Sequence, residues 1–381
     1  MNAPFGVQHF SYVPSFGVLS TYAPTACGLA TFSAALVDAL AAKGADVSVV
    51  RIADDETCTD PRVTGELVNG SATSIAAAID TLNTADVAII QHEYGVYGGA
   101  DGDEVLQIMA GLQVPSIVIA HTVLKDPTPQ QRSVLERVVS MADEVVVMSE
   151  EARQRLAAGF DVDQRKVSTI PHGAIVSAAD APPRPGRPII LTWGLLGPGK
   201  GIERVIDAMV SLRDLPNPPR YLVAGRTHPK VLAAQGEEYR ERCFEQAQRL
   251  GVADSVAFDD AYRTPAELGA LIQTAAVVVL PYDSRDQATS GVLVDSLATG
   301  RPIVATDFPH ARELLGGAAV VDHDDPDALV RALSRVLTDA RAAEAMAARA
   351  RELAPTMAWP VVAKAYVRLG QGLVAGQRTL A

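Results

Sequence analysis

The sequence has few cysteines, a deficit of basic residues and no long apolar run. Its 381 residues include three cysteines, Cys27, Cys58 and Cys243, which lack metal-ligand spacing and are odd in number. This usage is typical of a reducing cytoplasm. No apolar stretch reaches the ~20 residues that a membrane span requires, and the first residues lack the basic flank and apolar core of a signal peptide. We therefore expect a soluble, cytoplasmic protein without membrane association.

Acidic residues outnumber basic ones in this chain. Asp and Glu total 45, Lys and Arg total 33, and the formal net charge is −12. This balance argues against a nucleic acid or an anionic membrane as the main partner. Any phosphate site must therefore be a local positive pocket. The length favours two domains, and a hydrophobic content of 48% is sufficient to fill two cores.

Short apolar runs alternate with amphipathic helical patterns along most of the chain. The runs predict strands at Val47–Ile52, Asp86–Gln91, Pro115–Ala120, Glu144–Met148, Lys166–Ile170, Ile189–Thr192, Tyr221–Ala224, Ser255–Phe258, Ala276–Leu280 and Pro302–Ala305. Helices are predicted at Leu29–Lys43, Pro129–Met141, Gly201–Leu212, Val231–Leu250, Pro265–Gln273 and within Pro326–Leu353. Strands separated by helices predict parallel, doubly wound sheets, because parallel neighbours need a crossover connection.

A proline-rich segment interrupts this alternation. Residues 178–188 combine prolines with small residues and have no periodicity, which is typical of a stiff linker. We expect one Rossmann-like domain over residues 1–177 and a second over 189–358. A last helical segment, 359–381, is expected to cross back and complete the first domain. Ligands of open parallel sheets bind at the carboxyl ends of strands, so the cleft between two such sheets is the expected site.

The segment from 282 to 307, YDSRDQATSGVLVDSLATGRPIVATD, is the most informative part of the sequence. Thr289, Ser290 and Gly291 open a predicted helix, whose first turn offers backbone N–H groups, hydroxyls and a positive dipole end to an anion. Asp295 follows in the same helix and is expected to accept hydrogen bonds from sugar hydroxyls. A diphosphate at the helix end and a carboxylate for a ribose together predict a nucleotide-sugar pocket.

Two more loops of the second predicted domain carry cations after strands. WGLLGPGKG, residues 193–201, brings glycines and Lys200 to a helix start. The helix dipole disfavours a cation there, so this placement favours an anion ligand. The spacing is not that of a P-loop. Arg226 follows another predicted strand and can bind phosphate bidentately.

Loops of the first predicted domain hold further candidates. Gly28 can let the backbone approach a ligand, although a helix start alone would explain it. His92, Glu93 and Tyr94 are expected in a flexible loop facing the acceptor or the donor sugar, the alternative being capping and turn roles. His121 is expected to point out of the core toward a sugar hydroxyl rather than to be a satisfied buried histidine.

Other polar positions favour structural roles. The loop at His172 and Gly173 is as consistent with a turn as with a site. The Asp-x-Asp pairs lie in turn-like segments at Asp101/Asp103, Asp161/Asp163 and Asp322/Asp324. No catalytic triad or zinc pattern occurs in the sequence. We therefore expect no cofactor and no obligatory metal.

Taken together, the motifs CGLATF, HEYGVYGG, HTVLKDP, IPHG, GLLGPGKG and the 282–307 segment resemble the retaining glycosyltransferases of family 4. The resemblance covers nearly the whole chain and implies the GT-B fold, with two Rossmann-like domains facing a cleft, and a nucleotide-sugar donor. It implies that the donor diphosphate is held by the loop with Gly194, Lys200 and Gly201 and by the helix end at Ser290 and Gly291. It also implies a histidine for the donor sugar at His121.

The sequence departs from the family pattern at three positions. Two glutamates eight residues apart usually contact the sugar and the ribose, and here Gln287 and Asp295 stand in their places. The usual arginine after the phosphate-loop glycine is Leu195. Our hypothesis is that Arg226 replaces that arginine. These departures affect donor identity more than fold.

The resemblance further implies transfer with retention, in which the acceptor hydroxyl attacks on the face that the diphosphate leaves. Lys200, Arg226 and the Ser290/Gly291 helix end are expected to stabilise the leaving group. The alanine- and arginine-rich composition resembles actinobacterial proteins, many of whose relatives transfer mannose from GDP-mannose to polysaccharides or lipids. Mannose and a soluble oligosaccharide acceptor are thus our first expectations. The alternatives are another GT-B enzyme, such as a sugar-nucleotide epimerase or a phosphorylase, and a non-catalytic nucleotide-sugar-binding module.

Overall fold

The computed structural model describes residues 12–176, 186–261 and 263–380. The chain divides into two compact units. The first unit contains residues 12–148, 155–170 and 359–380, and the second contains 149–154 and the described residues between 171 and 358. Most of the predicted linker, residues 178–185, lies outside the described residues.

The first unit is built on a parallel sheet. Its strands are β1 (Phe16–Ser20), β2 (Val47–Ile52), β3 (Val63–Leu67), β4 (Val87–His92), β5 (Ser116–Ala120), β6 (Glu144–Val147) and β7 (Val167–Thr169). They lie in the order β3-β2-β1-β4-β5-β6-β7. Every residue of β1, β4 and β5 is buried, as is usual for strands with helices on both faces. The strand order reverses between β1 and β4.

Helices α1 (Gly28–Ala41), α2 (Ala72–Leu82), α3 (Val105–Gly111), α4 (Pro129–Met141) and α5 (Glu150–Gly159) follow strands of this sheet. The bounds predicted for α4 are confirmed, because its start carries strong local signals. Thr128 and Gln131 form a capping box, and Pro129 occupies the first turn, where no N–H partner is lost.

The second unit repeats the architecture. Its strands are β8 (Ile189–Trp193), β9 (Arg220–Ala224), β10 (Val256–Asp259), β11 (Val277–Leu280), β12 (Ile303–Thr306) and β13 (Val320–Val321), in the order β10-β9-β8-β11-β12-β13. Its helices are α6 (Ile202–Leu212), α7 (Pro229–Gln235), α8 (Glu238–Arg249), α9 (Pro265–Thr274), α10 (Gly291–Ala298), α11 (Pro309–Leu314), α12 (Pro326–Thr338) and α13 (Ala340–Leu353). All pairs are parallel, and the order reverses between β8 and β11.

The prediction of one helix over Val231–Leu250 is wrong. The chain forms α7 and α8, separated at Gly236, whose φ of +63° ends α7 in a conformation that favours glycine. Strands β1 and β3 and helix α2 were not predicted. Both strands are short and contain a glycine, and β3 is a partly exposed edge strand.

The last helix, α14 (Trp359–Leu380), belongs to the first unit. Its Trp359 ring packs edge-on against Phe32 of α1, with ring centroids 5.3 Å apart. Tyr366 is fully buried in the same core. Within the described residues, no helix is both long and apolar enough to cross a bilayer.

Candidate donor and acceptor sites

The strand reversal of the second unit lies between β8 and β11, the position where open parallel sheets bind ligands. The loops that follow these strands are joined, since Asp283 donates its N–H to the Gly199 carbonyl at 3.0 Å. Gly201 has a φ of +66°, and a Cβ there would lie 1.7 Å from the Pro281 carbonyl oxygen. Only glycine fits this contact, so Gly201 fixes the approach of the two loops.

The phosphate loop predicted from the sequence also runs beside the loop after β9. Leu196 donates its N–H to the Arg226 carbonyl at 2.8 Å. Gly225 lies so close that a Cβ there would be 1.9 Å from the Gly194 carbonyl oxygen. Arg226 is therefore an immediate neighbour of the predicted phosphate loop. Its exposed side chain donates from Nε to the Asp260 carbonyl at 3.3 Å.

Lys200 packs over an aromatic ring. Its Nζ lies 4.5 Å from the ring centroid of Tyr282, a cation–π contact. In the part of the chain that the structure describes, no carboxylate forms an ion pair with Lys200. Burial lowers the pKa of its ammonium group. Helix α6 begins at Ile202 with Gly201 as its N-cap, so Lys200 lies just before the helix.

Tyr282 was not predicted from the sequence as a site residue, but it lies between Lys200 and the start of α10. It is fully buried and stacks on Phe308, with ring centroids 5.4 Å apart. Its hydroxyl is buried beside the hydroxyl of Ser290, without the alignment of a hydrogen bond. One tyrosine therefore contacts both the predicted phosphate lysine and the predicted helix end. No local sequence signal distinguishes it from other buried tyrosines.

The N-terminal end of α10 is only partly open. Ser290 is the N-cap, and its Oγ accepts the Leu293 N–H at 3.2 Å. The Ser290 N–H itself donates to Nδ1 of His310 at 2.9 Å. The expectation that the whole Thr-Ser-Gly turn is unpaired is thus wrong for Ser290. Among the described residues, the N–H groups of Gly291 and Val292 have no partner, and these two remain for an anion.

Two histidines flank this helix end. His172 donates from Nδ1 to the Gly173 carbonyl at 2.8 Å. Its Nε2 lies 2.9 Å from the point that a Cβ on Gly291 would occupy, so a larger residue there would require the His172 ring to shift. Burial lowers the pKa of His172 and of His310 to about 4, and both rings are neutral at pH 7. His310 has no motif around it that would predict this contact.

The two positions that depart from the family pattern also lie at this end of the unit. The Gln287 side chain donates from Nε2 to the Thr289 carbonyl at 3.2 Å. The backbone carbonyl of Gln287 accepts the His310 backbone N–H at 3.3 Å. Asp295 is partly buried on α10, and burial raises the pKa of its carboxyl to about 7. A carboxyl group near half-protonation can both donate to and accept from sugar hydroxyls.

In the first unit, the candidates follow β1, β4 and β5. Gly28 is the first residue of α1, after the N-cap Cys27, whose Sγ accepts the Ala30 N–H at 3.3 Å. Apart from the neighbouring backbone, no atom of the described residues lies within 4 Å of the position of a Cβ on Gly28. Packing therefore does not require glycine there, and its ligand role remains a prediction.

The predicted flexible loop of His92, Glu93 and Tyr94 needs correction. His92 is the last residue of β4, pairs in register with Ala120 of β5 and is 1% exposed. Burial lowers its pKa to about 4. Tyr94 is also buried and packs edge-on against His92 at 5.2 Å. The strand is one residue longer than the apolar run, which moves His92 into the interior.

Glu93 and His121 remain nearer to solvent. Glu93 accepts the Tyr94 N–H at 3.1 Å and the Thr122 hydroxyl at 2.5 Å. His121 is partly buried, with Nε2 2.5 Å from Oε1 of Gln91 and its ring edge-on to Phe32 at 4.9 Å. The structure thus places Glu93, Thr122 and His121 at neighbouring strand ends. Across the described ranges, no three His, Cys, Asp or Glu side chains group as metal ligands.

Comparison with known families fits this arrangement. Residues 26–177 match the model of Glycosyltransferase Family 4, and residues 177–353 match that of Glycosyl transferases group 1. The chain belongs to these family 4 glycosyltransferases, and its two Rossmann-like units are those of the GT-B fold.

Individual relatives are distant. The chain is 28% identical over 265 residues to the D-inositol 3-phosphate glycosyltransferase of Corynebacterium urealyticum, covering 64% of this chain and 60% of that protein. It is 29% identical over 254 residues to a GDP-mannose-dependent alpha-(1-6)-phosphatidylinositol monomannoside mannosyltransferase of Mycolicibacterium smegmatis. That alignment covers 61% of this chain and 63% of the relative. The chain therefore spans less than two thirds of the length of either relative.

Solved structures share the fold at low identity. A glycosyltransferase of Rickettsia africae superposes with a TM-score of 0.72 at 12% identity, over 95% of this chain and 99% of that one. HepE of Anabaena, solved in complex with UDP, superposes with a TM-score of 0.71 at 14% identity, over 94% and 100%.

Proposed function

We propose that this protein is a retaining, metal-independent glycosyltransferase that transfers a hexose from a nucleoside-diphosphate sugar to a carbohydrate acceptor. One observation carries the proposal. Lys200 is a half-buried cation without a carboxylate partner in the described residues, and it shares Tyr282 with the partly open N-terminal end of α10. In a chain of net charge −12, this arrangement suits an external anion.

The reaction follows from where charge develops. The bond between the anomeric carbon and the diphosphate oxygen breaks, and negative charge builds on the leaving diphosphate. Lys200 and the N–H groups of Gly291 and Val292 are arranged to stabilise that charge. The acceptor hydroxyl attacks the oxocarbenium-like carbon on the same face, and its proton passes to the departing diphosphate. No protein nucleophile and no metal is required by this scheme.

Arg226 and Asp295 complete the donor side. Arg226 takes the place of the arginine missing at Leu195, because its backbone is paired to Leu196 in the phosphate loop. Asp295 binds the ribose as a carboxyl group that both donates and accepts, since its pKa is close to 7. Gln287 contacts the donor sugar by hydrogen bonds without adding charge.

The donor is GDP-mannose in our proposal. The support is the Mycolicibacterium relative, whose name describes a GDP-mannose-dependent mannosyltransferase. The Anabaena structure contains UDP, so uridine donors are the second choice.

The acceptor is a neutral sugar or polyol bound by the first unit. His121 keeps the donor-sugar role that the resemblance implies. Glu93, fixed by the Thr122 hydroxyl, places a carboxylate at the end of β4. A carboxylate there accepts from acceptor hydroxyls and repels a phosphate. The alternative is a phosphorylated polyol, as the name of the Corynebacterium relative states for that enzyme.

A two-stage experiment tests the proposal. A thermal-shift screen with GDP-mannose, UDP-glucose, UDP-N-acetylglucosamine and ADP-glucose identifies the donor, with Lys200→Met as the binding-deficient control. Hits are then assayed for nucleotide release with and without neutral and phosphorylated polyols. Acceptor-dependent release supports a transferase. Release without an acceptor indicates an epimerase, and binding without release indicates a binding module. Either result would overturn the proposal.

A further inference from the structure

The first turn of α10 is held by a contact that the donor chemistry does not itself require. His310 is on α11, 2% exposed, and its Nδ1 accepts the Ser290 N–H at 2.9 Å. Its backbone N–H donates to the Gln287 carbonyl at 3.3 Å. One residue therefore joins α11 to both ends of the segment from Gln287 to Ser290.

The contact between His310 and Ser290 determines which backbone N–H groups of the α10 start can bind an anion. A helix start leaves its first N–H groups without intrahelical partners. The Ser290 N–H is used by His310, and the Leu293 N–H is used by the Ser290 hydroxyl. In the described residues, only Gly291 and Val292 keep open N–H groups in this turn. Without His310, the Ser290 N–H would compete for the anion, and the turn would lose its fixed orientation.

The neighbourhood keeps Nδ1 of His310 available as an acceptor. Burial, with the nearby His172 adding to the effect, lowers the pKa of His310 to about 4, so the ring is neutral at pH 7. An Nδ1 that accepts a hydrogen bond in a neutral ring places the proton on Nε2. The tautomer is therefore set by the Ser290 contact.

We propose that His310 is a positioning residue that orients the Ser290–Val292 turn so that the Gly291 and Val292 N–H groups bind the donor diphosphate. The assignment rests on the proposed function for its ligand. It adds a residue outside the phosphate loop and the α10 helix to the donor site. His310 does not touch the reacting atoms, and its effect is on donor binding more than on the chemical step.

Side-chain geometry provides a matched pair of variants. In His310→Asn, Oδ1 occupies the position of Nδ1 and can accept from Ser290. In His310→Gln, the amide lies one bond further out, near the position of Nε2, and cannot. His310→Leu removes the acceptor. We expect Gln and Leu to raise the donor KM and the Kd for GDP or UDP about tenfold. We expect kcat to change less, and Asn to restore both constants to within about threefold.

A second measurement needs no donor. Hydrogen exchange of the Ser290 amide, followed by NMR, should be slow in the wild type and in His310→Asn, and faster in His310→Gln and His310→Leu. Equal exchange in all four proteins, or equal nucleotide affinity of the Asn and Gln variants, would overturn the assignment. If the exchange order holds but the wild type binds neither GDP nor UDP, the positioning contact stands and the proposed glycosyltransferase function fails.

Discussion

Each unit holds a basic side chain near the carboxyl end of its sheet, fully buried in the first unit and half-buried in the second, and the two side chains have different partners. Arg51 of β2, in the first unit, is fully buried and forms ion pairs with Asp54 and Glu66. Lys200 of the second unit packs on Tyr282, with no carboxylate partner in the described residues. A buried charge needs compensation. The first charge is compensated by carboxylates of the protein, and in our proposal the second is compensated by the bound diphosphate.

The surroundings of Arg51 show what it stabilises. Its guanidinium donates to the Tyr22 carbonyl at 3.5 Å and to the Thr25 hydroxyl at 3.1 Å. These residues lie in the loop that leads from β1 to Gly28 and α1. Arg51 therefore holds a loop in place by bonds within the protein. Within the described residues Lys200 has no such bonds, and on this difference we base the proposal that Arg51 is structural and Lys200 binds the donor.

The largest effect that would test this comparison is expected from Lys200→Met. Removing a donor that stabilises developing charge costs about 10²–10³ in kcat, whereas the melting temperature should change little, because Lys200 is only half-buried and forms no ion pair within the described residues. Steady-state kinetics and calorimetry measure the two quantities. Lys230→Met, at an exposed lysine of α7, is the matched control. Normal turnover of Lys200→Met would refute the assignment of the anion site.

Arg51→Met should give the reverse result. Loss of the guanidinium leaves Asp54 and Glu66 without their partner, but both carboxylates are partly exposed, so we expect a loss of about 2 kcal/mol in unfolding free energy. The kcat of the folded protein should change little. Chemical denaturation measures the loss, with Arg165→Met at an exposed ion pair as the control. A large fall in kcat with unchanged stability would reverse the roles of the two cations.

Arg226→Ala tests whether a third cation belongs to the binding group. We expect the donor KM to rise about tenfold, the value of one charge-assisted contact, with unchanged stability because the side chain is exposed. Arg220→Ala, at the other end of β9, should leave donor affinity as it is. If Arg226→Ala also leaves it unchanged, Arg226 does not replace the arginine missing at Leu195.

The smallest effect is a pH dependence. Burial lowers the pKa of Lys200, and only its protonated form attracts the diphosphate. Donor affinity should therefore weaken with rising pH before an ordinary lysine, with a pKa of about 10.4, would lose its proton. Lys200→Arg should abolish this alkaline loss, since arginine keeps its charge. Calorimetric titration from pH 7 to pH 10 would show it, and identical profiles for both proteins would contradict it.

The sequence predicted much of the fold because the relevant signals are local. Apolar runs bounded by polar loops predicted most strands of the two sheets, although not β1, β3 or β13, and the helical pattern predicted the bounds of α4. Predictions were wrong where a local signal competed with a larger context. The helix-breaking effect of Gly236 was overlooked within a long helical pattern. His92 was assigned to a loop, although pairing with β5 extends β4 by one residue.

The residues of the candidate site also fall into two groups, those that the sequence predicted and those that it missed. Lys200, Gly201, Ser290 and Gly291 were selected from the chemistry of short motifs, and the structure brings the loops that carry them together. Tyr282 and His310 were missed, because each acts through a contact with a residue distant in the sequence: Tyr282 with Lys200, and His310 with Ser290.

The sequence alone determined most of the succession of strands and helices, the acidic balance and the residue types able to bind a diphosphate, because periodicity, composition and motif chemistry depend on near neighbours. Only the tertiary structure decided that Arg51 forms ion pairs whereas Lys200 forms none with the residues that the structure describes, and that the Ser290 N–H donates to His310. The physical reason is that burial and hydrogen-bond partners are set by chain segments that meet only on folding.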